Sequence, residues 1–448
     1  MLEKQSWMKF APELYLEWRQ ASEEGLDVAA LEKLCYLTSE ASKREDCEEI
    51  AELIWKKLKA APVRKDYLYY EPSDLAGIQA AAPIKRHHFS DFLTKEQKAE
   101  KLKGAWIGRI SGCLLGKPVE GFKRDKLYAI LKQTNNYPMN RYIRAKEFTP
   151  ELKKEIGYDE LQQWQLCYAD QIKGCSPADD DTNYTVLAMK IVENYGRNFR
   201  PNDVLEAWLT WMPMFSACTA ERAAYRNAAM GICAPQTAEY KNPYREWIGA
   251  QIRGDFYGYI NPAEPAAAAE MAWRDASVSH VKNGIYGEML VAAMLAAASV
   301  CNDIKTIIEA GLDEIPEKCR LKAAVEKVIL WYEEGRTAEE VIEKIHQMYD
   351  EHSQHDWCHT ISNAMIVIMA LLYGGRDFSK TVCLAVQAAF DTDCNGATAG
   401  SIVGMILGQK GIPEEWYECY QETLATGIMG YPLVTVDDLV AKTMELII

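Results

Sequence analysis

The chain runs to 448 residues, 48% hydrophobic and 26% charged, enough material for a large soluble core. A net charge of −15, with no Lys/Arg stripe to offset it, argues against a nucleic-acid partner. Thirteen cysteines without a CxxC pair read as free thiols of a reducing compartment, and the start lacks a signal peptide's apolar core. A cytoplasmic protein is expected. The longest apolar run, 289–301, is too short and Ala-rich to span a membrane.

Residues 1–95 carry apolar side chains at helical spacing, among them Ala51, Ile54, Trp55 and Leu58. Pro62, Pro72 and Pro83 interrupt them, and Lys85-Arg86-His87-His88 marks a boundary. The pattern predicts a helical N-terminal unit, 1–95, ahead of a larger domain, 96–448. Residues 133–178 are weakly patterned and read as an insertion. Helical periodicity then recurs over 184–192, 204–211, 286–300, 323–334, 341–349, 360–372, 381–390 and 397–407. Almost no alternating strand pattern appears, so an all-α fold is expected.

Two segments place glycine every fourth residue: Gly104, Gly108, Gly112 and Gly116, then Gly396, Gly400, Gly404 and Gly408. Each glycine inside a helix costs roughly 1 kcal/mol relative to alanine, so the bare faces need a reason. Close helix packing is the plainer one, and a ligand beside the bare face is the other.

Each glycine face adjoins acids. Asp179-Asp180-Asp181-Thr182 precedes the run at 184–192. One Asp suffices to cap a helix, whereas three adjacent carboxylates repel unless solvated or bridged by cations. Asp391-Thr392-Asp393-Cys394-Asn395-Gly396 places two carboxylates on one side of a turn, an oxygen set suited to hard cations or to a bare Asx turn. Glu120, in Gly116-Lys117-Pro118-Val119-Glu120-Gly121, projects from a loop at a helix end and is the candidate general acid or base. His359 and Asn363 lie one helical turn apart, suited either to contact a sugar or base or to cap a helix.

GAWIGRISGCLLGKPVEG, DDDTNYTVLAM and DTDCNGATAGSIVGMILG resemble, in order and spacing, the signature segments of the ADP-ribosylglycohydrolases, including the dinitrogenase-reductase-activating enzymes. The resemblance spans roughly 98–448 and makes 1–95 an extension of a kind carried by some bacterial members. It implies an orthogonal multi-helix bundle, a centre of two Mg²⁺ (or Mn²⁺), and hydrolysis of a ribosyl C1 bond. By motif, Asp180, Asp181, Asp391 and Asp393 become metal ligands and Glu120 acts at the glycosidic bond. Asp179 and Cys394 stand where the family has Thr or Ser; both belong to the expected metal set, although a thiol suits Mg²⁺ poorly. Gly249 and Arg253 are expected beside the diphosphate, His280 beside the ribose or nucleotide, and Tyr286 in the same substrate region.

ADP-ribose on a protein or small molecule is the expected substrate. A nucleoside or other small ribosyl metabolite is the first alternative, and a non-catalytic ADP-ribose binder the second. The sequence leaves the oligomeric state open.

Overall fold

The computed structural model describes residues 8–447. Twenty-two α-helices occur among them, with one small antiparallel pair, Thr423–Ala425 against Leu433–Thr435, as the only sheet. No helix among the described residues is long and apolar enough to cross a membrane. The protein is all-α.

The two glycine faces meet each other. They lie on the helices Lys95–Gly116 and Thr392–Leu407. A Cβ added at Gly108 would stand 2.0 Å from the Gly400 carbonyl oxygen, and one at Gly112 2.0 Å from that of Gly396. Gly104 meets Gly404 in the same way, so the pairing runs antiparallel. No side chain fits between the backbones, and close packing is the reason for the glycines. At the end of this seam, a Cβ on Gly116 would fall 2.3 Å from the Asp393 amide nitrogen. The seam therefore brings the loop that follows Gly116, with Glu120, against the turn that carries Asp391 and Asp393.

Helix starts extend beyond the apolar periodicity. The run at 184–192 belongs to Asp180–Tyr195, and that at 397–407 to Thr392–Leu407. Both first turns are polar, so periodicity cannot show them, but Asp179 caps the first by accepting the Asp181 N–H at 3.0 Å. The 133–178 stretch is made of short turns with one six-residue helix, Pro150–Glu155.

At the N-terminus, Leu14–Glu23, Glu32–Ala41 and Glu48–Lys59 enclose a small core of their own around Phe10, Leu14, Val28, Cys35, Ile54 and Leu58. The main core is a separate and far larger apolar cluster.

Candidate active site

Three backbone devices position the acids. The Asp179 cap opens one helix into the site. Gly121, at φ +80°, closes the turn that presents Glu120. Ahead of Asp391, Ala389 and Phe390 both adopt left-handed backbone, φ +62° and +60°, at a cost of roughly 1–3 kcal/mol each. Surrounding bonds hold that strain: Asn363 Oδ1 accepts the Asp391 N–H at 3.2 Å and the Asn395 side-chain N–H at 2.8 Å.

The acids converge. Oxygens of Glu120, Asp391 and Asp393 lie within 4.8 Å of one another. So do ligand atoms of Asp181, Asp393 and Cys394, and those of Cys113, Asp179 and Asp181. Asp393 belongs to two of these groups and Asp181 to two. Asp181 Oδ2, Asp391 Oδ1 and Asp393 Oδ1 are buried without a hydrogen-bond partner. A buried carboxylate oxygen without a partner is costly, and three at one place form the oxygen set a hard divalent cation takes. The residues fit a divalent ion.

Their electrostatics agree. Burial, then Asp393, Asp391, Asp179 and Asp180, push the Glu120 carboxyl well above its ordinary range. Burial and Asp179 lift Asp393 to about 6. Burial and Asp393 raise Asp391, and burial raises Asp181 despite the adjoining Arg109. The Cys394 thiol is pushed up by burial and by the same aspartates, so it offers a neutral S–H rather than a thiolate.

Two cations of the chain itself enter the cluster, and neither was singled out in the sequence. Lys117 Nζ donates to Asp179 Oδ2, so both oxygens of Asp179 are already engaged. Arg109, wholly buried, donates to Asp181 Oδ1 at 3.1 Å and pairs with Asp255 at 3.1 Å.

A cavity of about 150 Å³ opens over the acids. Glu120, Asp180, Asp391, Asp393, Cys394 and Gly249 line it, together with Glu221, Trp247, Trp357 and Cys358. Sequence reasoning missed the last four. Gly249 gave the one available hint: a Cβ there would strike Glu221 at 2.2 Å.

Other expected substrate residues lie elsewhere. Arg253 is buried under the cavity, where Asp275, Glu221 and Ser279 take its N–H groups. His280 is buried against Ser279 Oγ at 2.8 Å, and Tyr286 donates to the Pro72 carbonyl. His359 turns toward Glu23, with 3.7 Å between His359 Nε2 and the carboxylate. Asn363 supports the Asp391 turn. None of these five lines the cavity; Arg253, Tyr286 and Asn363 are held by other partners, while His280 Nε2 and His359 Nε2 are buried without a hydrogen bond.

The sequence profile of the ADP-ribosylglycohydrolases matches residues 94–445. The chain belongs to the ADP-ribosylglycohydrolase family. Its members are glycohydrolases, and the acid-lined cavity belongs to a chain of that enzyme family. A solved structure described as an "ADP-ribosylglycohydrolase-related protein complex" is 18% identical, covering 78% of this chain and 98% of that chain at a TM-score of 0.46. Comparison with the curated proteins finds no match.

Proposed function

We propose that the protein is a divalent-cation-dependent hydrolase of the C1 glycosidic bond of a ribosyl group, with ADP-ribose on a protein or small molecule as the first substrate class. The observation that carries the reading is Glu120 in one group with Asp391 and Asp393 at the cavity. Residues 96–448 form the catalytic domain in this reading, and 1–95 an extension.

Asp181, Asp391 and Asp393 would hold the cation, Mg²⁺ or Mn²⁺ by the oxygen character of the set, with Asp180 at the cavity edge. Bound there, a divalent ion supplies positive charge that orients ribose hydroxyls and offsets buried negative charge. The two groups that share Asp393 accommodate a pair of ions. Asp179 differs: with Lys117 on one oxygen and the Asp181 amide on the other, it balances charge and caps its helix. Cys394 acts as a neutral neighbour.

Glu120 handles the proton. Its loop is fixed by Gln165 Nε2, which donates to the Glu120 carbonyl at 3.1 Å. Its raised affinity for a proton suits a group that passes one proton at its carboxyl during hydrolysis. Water adds its oxygen to C1, the C1–N or C1–O bond breaks, and the water's proton reaches the leaving group. Trp247 and Trp357 give the cavity flat apolar surface for the leaving group or the ribose.

One observation favours the second reading, a nucleoside or other small ribosyl metabolite. No Lys or Arg lines the cavity among the described residues, whereas Glu120, Asp180, Glu221, Asp391 and Asp393 do. A diphosphate would need cationic partners that this wall lacks. Incubation with ADP-ribosylated protein and with a nucleoside panel, each with and without EDTA, tests both. Cation-dependent release of a free ribosyl product from either substrate supports the hydrolase. ADP-ribose that stabilises the fold while Glu120→Ala changes no turnover supports a binder instead.

A further inference from the structure

We propose that the N-terminal helix Leu14–Glu23 sets the shape of the cavity by gripping both strips of its wall, with Arg19 and Glu23 as positioning residues. The strips are 246–249 and 354–358, which contribute Trp247, Ile248 and Gly249, and Gln354, Trp357 and Cys358. They are joined to each other by backbone: Ile248 N–H donates to the Cys358 carbonyl at 2.8 Å and Thr360 N–H to that of Glu246 at 3.0 Å.

The helix addresses the strips with two adjacent rows of side chains. Glu17, Gln20 and the C-cap Glu24 take the first. Arg245 donates to Glu17 at 2.8 Å and to Glu24 at 2.6 Å, and Gln20 donates to Glu246 at 2.6 Å. Arg19 and Glu23 take the second. Arg19 donates to Ser353 Oγ at 2.6 Å and pairs with Asp356, and Glu23 accepts His355 Nε2 at 3.0 Å.

Glu23, His355 and His359 also bring three ligand-type atoms within 4.8 Å, the spacing of a metal site. Hydrogen positions decide against one. The Trp247 indole N–H, which can only donate, points at His355 Nδ1 at 3.1 Å, and the Ile361 amide points at His359 Nδ1 at 3.1 Å. Each Nδ1 is therefore a lone-pair acceptor, and each Nε2 of the neutral ring carries its hydrogen toward Glu23. Metal-ligating histidine has the reverse arrangement, its second nitrogen donating. The cluster is a carboxylate that takes one imidazole N–H, from His355, with His359 Nε2 facing it at 3.7 Å, and it connects Glu23 through His355 to the cavity residue Trp247.

That the cavity serves a reaction rests on the reading proposed above; the grip is tested without substrate. In the full chain, iodoacetamide labelling of Cys358 is followed by mass spectrometry, with exposed Cys233, away from the cavity, as internal reference, alongside amide exchange over 246–249 and 354–360. Glu23→Ala accelerates both by about tenfold, since the hydrogen bonds from His355 and Arg19 to Glu23, which oppose local opening, are lost. Glu23→Gln, whose amide oxygen still accepts one N–H, falls between it and the parent. Lys59→Ala, which removes an exposed 3.4 Å ion pair between the same N-terminal helices and Glu239, leaves both rates unchanged. Parent-like rates in Glu23→Ala overturn the proposal, and so does equal acceleration by Lys59→Ala, which means general loosening. Should Glu23→Ala fail to fold, Glu23→Gln decides alone, and parent rates there overturn the grip. A chain inert toward every ribosyl substrate that still shows this labelling order sinks the hydrolase and leaves the grip standing.

Discussion

Two of the sets of carboxylates that the molecule buries have opposite surroundings. At the N-terminal junction, the protein supplies the partners. Burial pushes Glu24 and Glu23 up, yet Arg245 and Lys282 hold Glu24 at about 2, and His355, His359 and Arg19 hold Glu23 at about 2. Arg320, which meets Glu246 at 2.7 Å, holds that carboxyl below its ordinary range against burial. Over the cavity, burial acts alike on Asp391, Asp393 and Glu120, but other acids are the main neighbours and all three are raised. Glu23, Glu24 and Glu246 have counter-charges in the chain, whereas Asp391, Asp393 and Glu120 face one another, the arrangement proposed above to take its counter-charge from a cation.

Glu120→Gln sharpens the contrast most. It keeps size and removes the proton-carrying group, so kcat falls by about 10²–10⁴ while cation affinity stays within a few-fold, read by steady-state kinetics and calorimetry. Arg320→Met is the counterpart at the junction. It strands Glu71, now paired at 2.8 Å, together with Glu246, and costs about 3–5 kcal/mol in denaturant unfolding. A near-neutral result would break the comparison. Gly112→Ala touches no acid but wedges the seam. It destabilises by about 1–3 kcal/mol and weakens cation binding, because the Glu120 loop and the Asp393 turn separate.

Much of this was legible beforehand. Acid runs and glycine spacing are local patterns: the glycine faces do pack closely, and Glu120, Asp391 and Asp393 do come to one place. Boundaries at Asp180 and Thr392 were hidden because polar first turns carry no periodicity. Arg253, His280 and Tyr286 have the residue types a nucleotide pocket uses, but partners such as Asp275, Ser279 and the Pro72 carbonyl come together only in three dimensions. Lys117 and Arg109 look like surface cations in a string; folding buries them against Asp179 and Asp181. Glu17, Arg19, Gln20 and Glu23 read as an ordinary charged helix, since their counterparts lie more than 200 residues away.

The smallest effect is on pH dependence. Burial, then His355, lowers His359 to about 4 from an ordinary 6.5, with Glu23 and Glu246 opposing and Arg320 adding to the shift. The unfolded chain therefore takes up that proton first, and stability contributed by the neutral ring is lost as pH falls from 6.5 toward 4. The Glu23 and Glu24 contributions, with both groups lowered from 4.5, are full above about 4.5, decline as pH falls below it and are gone by about 2. His359→Asn flattens the decline in melting temperature between pH 6.5 and 4 by roughly a few degrees. Buried His280, also lowered, leaves a residual slope.

Calorimetric titration of the EDTA-stripped chain with Mn²⁺ or Mg²⁺, beside Asp393→Asn, addresses the shared centre most directly. The parent should bind saturably and melt at a higher temperature with cation. Asp393→Asn should lose both effects, yet melt higher than the cation-free parent because one repelling charge is gone. A parent that takes up no cation at millimolar concentration, or an Asp393→Asn variant that binds as the parent does, contradicts a centre built on these acids.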